Sequence, residues 1–185
     1  MVARPMRSRF IRCKTMSGIY TCPEIQGALA DATSTLALEY GDVGQLNVIV
    51  RIMQTAFSSR YGESWNNNQC RSMLSLPSTQ LMIASYNNEP CGFTISRDIA
   101  GEEELLMIAV DPQCQNKGIG LILLKQLIAD ATNNSVAAVF LEVRSNNPAQ
   151  NLYERLGFQK IGLRKAYYTG ERKEKFDAIT YRKTL

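Results

Sequence analysis

The order of periodic segments predicts an α/β chain of the α+β type: one mixed, mostly antiparallel sheet of six to seven strands flanked by about four helices. Three observations carry that expectation. Apolar residues alternate or run together in short strand-like segments and recur at helical spacing in others, in the order strand, two helices, three strands, helix, strand, helix, two strands. Glu103 to Val110 and Val136 to Val143 are apolar almost throughout, as strands buried on both faces are. Helices do not alternate strictly with strands, which argues against a doubly wound sheet.

Each element has a local reason. Thr35 to Tyr40 alternates and ends at Gly41; Asp42 then caps a helix striped by Leu46, Ile49, Val50, Met53 and Phe57. A polar stretch with Tyr61, Trp65 and Asn66 to Asn68 leads to a short helix around Gln69 to Leu74, stopped before Pro77. Leu81 to Tyr86 and Gly92 to Arg97 flank the turn-forming string Asn87-Asn88-Glu89-Pro90 and read as an antiparallel hairpin. Glu103 to Val110 belongs in the middle of the sheet. From Gly118 to about Asp130, Ile119, Leu123 and Leu127 form a stripe widened by Leu124 and Ile128, with Lys125, Gln126 and Asp130 on the solvent side. After the strand Val136 to Val143 comes a helix from Pro148 to Leu156, with Asn147 as cap and Gly157 as stop. Strands near Phe158 to Lys165 and Phe176 to Thr184 close the chain. Residues 1–34 lack sustained periodicity and are expected to form a loosely ordered extension, with a short helix near Ile25 to Ala32, ahead of one domain over residues 35–185.

Composition bounds the function. At 185 residues, 45% hydrophobic and 21% charged, the chain has the balance of a soluble globular protein able to bury a core without disulfides or metals. The net charge of +4 is misleading: residues 1–23 carry Arg4, Arg7, Arg9, Arg12 and Lys14 without an acid, leaving 16 basic against 17 acidic residues elsewhere. The body is near neutral, so direct nucleic-acid binding is not expected. The basic leader has the composition of an organellar transit peptide; the same string arises if translation starts downstream, at Met16. No run approaches the ~20 apolar residues that cross a bilayer, so no membrane association is expected. Five widely spaced cysteines without a Cys-x-x-Cys pair point to a reduced, cytoplasmic compartment. The chain has no histidine, which removes Ser-His-Asp and Cys-His catalysis and leaves no expected metal site.

The strongest local signal is Gln115-x-x-Gly118-x-Gly120, between a buried strand and an amphipathic helix. Its glycines let the backbone approach a ligand, and unpaired N–H groups at a helix start favour an anion such as a diphosphate. It lacks the first glycine of the dinucleotide fingerprint and the Gly-Lys-Ser/Thr ending of a P-loop, so NAD and ATP are poor candidates.

The loop sits in a larger frame: Glu104-Leu-Leu-Met-Ile-Ala-Val-Asp-Pro before it, then Leu141-Glu-Val-Arg, Leu152-Tyr-Glu-Arg-Leu-Gly-Phe158 and Arg164-Lys-Ala-Tyr-Tyr168 after it. In that order and at those separations the segments resemble the GNAT acetyltransferases, and within them the RimI branch that acetylates the N-terminal alanine of a small-subunit ribosomal protein. The resemblance runs from about Leu36 to Leu185. It implies the GNAT fold, with a V-shaped splay between the two central strands, and acetyl-coenzyme A as co-substrate without a metal. It also implies a protein N-terminus as acceptor; a monomer or weak dimer is expected.

By the same resemblance, the backbone of Ile108, Ala109 and Val110 pairs with the pantetheine arm, and Gln115, Asn116, Lys117, Gly118, Ile119, Gly120 and Leu121 surround the pyrophosphate. Glu142 matches the general base and Tyr153 the general acid, which protonates the departing thiolate. The spacing between these two is one residue shorter than in the RimI proteins, so the cofactor-contacting asparagine is either Asn146 or Asn147, with Asn146 preferred because Asn147 also serves as cap. Physically, a strand carboxylate can take a proton from an ammonium; it can equally be a glutamate paired with Arg144 or with solvent. Tyr153 also fits an apolar helix face with Leu152 and Leu156. Tyr167 and Tyr168 correspond to a tyrosine pair near the acceptor site, Trp65 reads as packing, and Arg164, Lys165, Arg172, Lys173 and Lys175 read as a solvated surface. The rival functions are acetylation of a small amine or a lysine side chain, and a catalytically silent acyl-coenzyme A binding module.

Overall fold

A computed structural model describes residues 35–58, 61 and 64–185; the expected extension over 1–34, including the helix near Ile25 to Ala32, lies outside them. The chain opens with β1 (Leu36–Gly41). Asp42 caps as expected, but it caps a single 3-10 turn, Val43–Gln45, through a reciprocal box with Gln45, and α1 (Leu46–Ala56) follows. Asn66 and Gln69 repeat the box at the start of α2 (Asn67–Leu74). The hairpin of β2 (Thr79–Tyr86) and β3 (Glu89–Ile99) turns through Asn87 and Asn88, at φ 53° and 66°. Asparagine tolerates the left-handed region better than other non-glycine residues, so the tight turn forms there.

Next come β4 (Glu102–Val110), α3 (Ile119–Asn133), β5 (Ala138–Arg144), α4 (Gln150–Arg155), β6 (Gln159–Thr169) and β7 (Lys175–Thr184). The α4 helix starts later than expected, because Asn147 and the two residues after it form a turn. The seven strands lie in the order β1-β2-β3-β4-β5-β7-β6. The β4–β5 pair is parallel and the other five pairs are antiparallel. The mixed, mostly antiparallel sheet is therefore as the segment order predicts.

Two irregularities in β4 shape the centre. Its pairing with β5 runs only from Glu102↔Ala138 to Leu105↔Leu141, while β4 stays on β3 as far as Gly92↔Val110 and β5 stays on β7 as far as Arg144↔Ala178. Each strand leaves the other without leaving its outer neighbour, so the sheet forks. At the same point Leu106 has no partner on β3, the mark of a β-bulge. The bulge breaks the alternation of faces. Leu105 packs with α3 residues Leu124 and Leu127, whereas Met107 and Ala109 pack with α1 residues Ile49, Ile52 and Met53.

The core thus has two sides. On one, α1 and α2 cover β2, β3 and β4 through Leu46, Ile49, Ile52, Met53 and Cys70. On the other, α3 and α4 cover the sheet through Leu123, Leu124, Leu127 and Tyr153. Asp130, expected on the solvent side of α3, instead accepts from the Tyr40 hydroxyl at 2.8 Å and the Gln126 amide at 2.9 Å. Burial pushes its carboxyl above the usual range. Of the cysteines, Cys70, Cys91 and Cys114 are unbridged, while Cys13 and Cys22 lie outside the described residues. Burial, with Cys114 alongside, pushes the Cys91 thiol up to about 12.

Candidate active site

The fork has chemical consequences before any ligand is considered. Alternate peptide groups of a strand point to opposite edges, so beyond Leu105 those on the β5 side of β4 have no strand partner. A cavity of about 260 Å³ opens there. It is lined by Glu104, Leu105, Leu106, Met107 and Ile108 from β4, Leu141, Glu142 and Val143 from β5, Asn147 and Tyr153 from the turn and helix after β5, and Tyr167 and Tyr168 from β6, with Phe57 and Trp65 completing the wall. Ala109 and Val110 continue the same strand edge beyond the cavity.

Glu142 lies in the middle of β5, on the face opposite Leu141 and Val143, whose side chains enter the α3 core. The Thr180 hydroxyl, directly across on β7, donates to Glu142 Oε1 at 3.2 Å, and Arg164 Nε reaches the same oxygen at 3.2 Å. Arg164 stands on β6, beyond β7, and gets there because Gly162, third in the row Glu142–Thr180–Gly162, puts no side chain in the way. The expectation that Arg164 belongs to a solvated surface therefore needs correcting: though exposed, it is bound to the fork carboxylate. Arg144, the partner the sequence suggested for Glu142, turns elsewhere. It is 4% exposed, its guanidinium lies 3.5 Å from the centre of the Tyr61 ring, and it donates to Asn146 Oδ1.

Tyr153 is buried, with its ring edge-on to Phe158 and tilted against Tyr181, at centroid distances of 6.0 and 5.9 Å. It both packs and lines the cavity. Its helix is tied to β7 by the Tyr181 hydroxyl, 2.9 Å from Glu154 Oε1 and 3.2 Å from Gln150 Oε1; burial pushes that hydroxyl up. Of the two asparagines, Asn147 lines the cavity while its Oδ1 accepts from the Ala149 amide at 2.9 Å, and Asn146 is engaged by Arg144. Trp65 packs against the α1 core and also lines the cavity.

The glycine loop lies at the start of α3. Gln115 Nε2 donates to Val110 O at 3.0 Å, which ties the loop to the end of β4. Asn116 and Gly118 are left-handed, at φ 61° and 77°, and the chain thereby turns its amides outward. Within residues 116–121 no amide donates to a backbone carbonyl among the described residues. A Cβ at Gly118 would meet nothing within 4 Å, and one at Gly120 would make ordinary contact with Leu152 and Val110. The Ile119 side chain is core, leaving only its amide to the loop, and Lys117 Nζ sits 4.4 Å over the Tyr86 ring. Free amides at the positive end of a 15-residue helix, with no side chain in the way at Gly118, fit a diphosphate. Cys114 packs beside this loop and does not line the fork.

Residues 46–158 match the acetyltransferase (GNAT) family. The chain belongs to that family. Among GNAT proteins it is 40% identical over 82 residues to the ribosomal protein bS18-alanine N-acetyltransferase of Haemophilus influenzae, a match covering 44% of this chain and 56% of that enzyme. The corresponding enzyme of Escherichia coli strain K12 is 36% identical over 116 residues, covering 62% of this chain and 69% of the relative. The crystal structure of the ribosomal-protein-S18-alanine N-acetyltransferase from Escherichia coli superposes with a TM-score of 0.75 at 28% identity, over 82% of this chain and 94% of that one. The GNAT fold expected from the motifs is thus confirmed.

Sequence reasoning missed Arg164 as a partner of Glu142, the bulge at Leu106, and Phe57 as part of the cavity wall. Arg164 had a signal, since Arg164-Lys-Ala-Tyr-Tyr168 is part of the family likeness. The bulge had none, because Leu105 to Val110 is apolar without alternation.

Proposed function

We propose that this GNAT protein transfers the acetyl group of acetyl-coenzyme A to a protein α-amine, with Glu142 as general base and Tyr153 as general acid. One observation carries the reading: the strand carboxylate and the helix tyrosine line the same cavity, where the central strands part and the β4 edge is open. The free amides of 116–121 hold the pyrophosphate, and the β4 edge at Ile108, Ala109 and Val110 receives the pantetheine arm as an added strand would. This brings the thioester to the fork. Peptide N–H groups there polarise the thioester carbonyl, Glu142 relieves the attacking amine of its proton, and Tyr153 protonates the leaving thiolate. Asn147, at the cavity wall, is the better placed of the two asparagines to contact the substrate.

The choice of acceptor follows from proton chemistry and from the relatives. An α-amino group has a pKa of ~7.7–8.0 against ~10.4 for lysine, so freeing a lysine nitrogen costs roughly 3.5 kcal/mol more. A carboxylate base in a chain without histidine suits the easier proton. The relatives' names specify N-acetylation of an alanine of ribosomal protein bS18, and we infer a protein α-amine of the same class as acceptor, and a cytoplasmic setting, here. The test is competition within one peptide that has a free N-terminal alanine and an internal lysine, the acetyl group being located by mass spectrometry. Acetyl on the α-amine is expected. Acetyl confined to the lysine, or acetylation of free polyamines alone, overturns the substrate while leaving the acetyltransferase reading intact.

A further inference from the structure

We propose that Arg164 is a positioning residue for the reaction: with Thr180 it locks one oxygen of Glu142 and so fixes the orientation in which the other oxygen meets the acceptor amine. The inference rests on Glu142 being the base. Both contacts to the carboxylate, from Arg164 Nε and the Thr180 hydroxyl, go to Oε1 at 3.2 Å. Oε2 has no hydrogen-bond or ion-pair partner among the described residues. A carboxylate held through one oxygen keeps a single rotamer and offers the second oxygen at a fixed angle, which general-base catalysis requires.

The arrangement of cavities fits this division. Glu142 borders the fork cavity and also a second one across β5 and β7; Arg164 and Thr180 line only the second. The lock therefore holds the carboxylate from the side away from Tyr153, and leaves the fork clear for thioester and amine.

An exposed arginine on an edge strand would ordinarily sample many rotamers, and an exposed ion pair would be worth little. Here the guanidinium lies 5.3 Å from the centre of the Tyr167 ring, which confines it. Tyr167 is in turn set by an irregular stretch of β6: register with β7 is lost between Arg164 and Tyr168, and Ala166 is left-handed at φ 53°. The Ala166 amide, freed from the ladder, donates to Asp177 Oδ1 at 2.8 Å. Asp177 thus pins the bulge, the bulge sets Tyr167, Tyr167 confines Arg164, and Arg164 orients Glu142.

The experiment compares Arg164→Ala, Glu142→Gln and the double variant in the full-length chain, with N-terminal alanine peptide and acetyl-coenzyme A. Arg164→Ala should lower kcat roughly 10- to 10²-fold, the scale of a misplaced catalytic group, with KM for acetyl-coenzyme A and the melting temperature little changed. Millimolar ethylguanidinium should restore part of the lost kcat where ethylammonium does not, since only the former replaces the planar donor. In the Glu142→Gln background the Arg164 substitution should add almost nothing. Wild-type kcat in Arg164→Ala, or an undiminished effect of the substitution in the Glu142→Gln background, overturns the proposal. Wild-type turnover in Glu142→Gln alone would instead overturn the assignment of the base, a result distinguishable from the other two.

Discussion

Removing the Tyr153 hydroxyl separates packing from chemistry. In Tyr153→Phe the ring remains, and with it the contacts to Phe158 and Tyr181 and the place in the core cluster. Only one polar atom is lost, so stability should change by about 1 kcal/mol or less, a shift of roughly 2–4 °C in Tm for a domain of this size. The kinetic effect should be larger. General acid catalysis contributes about 10²- to 10⁴-fold, so kcat should fall by at least ~10²-fold, equivalent to ~2.7 kcal/mol at 1.36 kcal/mol per decade. The decisive assay varies the donor. A thioester whose thiol is more acidic than that of coenzyme A leaves without a proton, so the ratio of wild-type to Tyr153→Phe rates should shrink towards one with such a donor. An equal loss with both donors, or wild-type kcat with acetyl-coenzyme A, would refute the assignment of Tyr153 as the acid.

Further outcomes follow from other parts of the fold. Gly118→Ala meets no atom but must sit at φ 77°, so it should cost ~1–2 kcal/mol and lower Tm, while Gly118→Asn should cost less; equal melting of all three proteins would count against the left-handed cap. Gly120→Ala makes only ordinary contacts within the chain, so its Tm should hold while affinity for coenzyme A, measured by calorimetry, falls; unchanged affinity would exclude close approach of the pyrophosphate at that point. Glu103 is buried with Oε1 unpartnered among the described residues, and desolvation raises its pKa, with Ser96 beside it acting in the opposite direction. A carboxyl with a raised folded pKa contributes most below its unfolded value and loses that contribution as pH rises through the folded one. Glu103→Gln should therefore stabilise the protein at neutral pH, with the gain vanishing as the pH falls below about 4, as followed by urea denaturation across pH. A gain independent of pH would show that ionisation is not the cause.

How much of this was legible depended on range. Elements written in local signals were readable: the Asn87-Asn88 turn, the cap at Asp42, the stripe of α3 and the glycine stop after α4 each follow from a few adjacent residues. The family frame was readable as well, because its motifs keep their order and spacing along the chain. The start of α4 was misjudged since Asn147, a good cap by type, spends its side chain on the Ala149 amide within a preceding turn. The fork was expected only through the family resemblance and not from local signals, and its carboxylate lock was not readable. The fork depends on where β4 stops pairing, and a doubly buried strand has no alternation to betray a bulge. The lock joins β5 to β6 over an intervening β7, so no spacing in the chain marks Glu142 and Arg164 as neighbours.

The short parallel pairing between β4 and β5 has a mechanical side. Among the described residues, four pairs, Glu102↔Ala138 to Leu105↔Leu141, are the only rungs joining a four-stranded half-sheet to a three-stranded one. The two halves are also joined by α3, which packs on β2, β3 and β4 and on β5. Such a molecule resembles a zip left half open: a co-substrate lying along the β4 edge adds rungs where the chain supplies none. Occupancy would then stiffen the seam itself, so backbone amides on both sides of it should exchange their hydrogens more slowly with coenzyme A bound, while those of the distant β1–β2 pairing keep their pace.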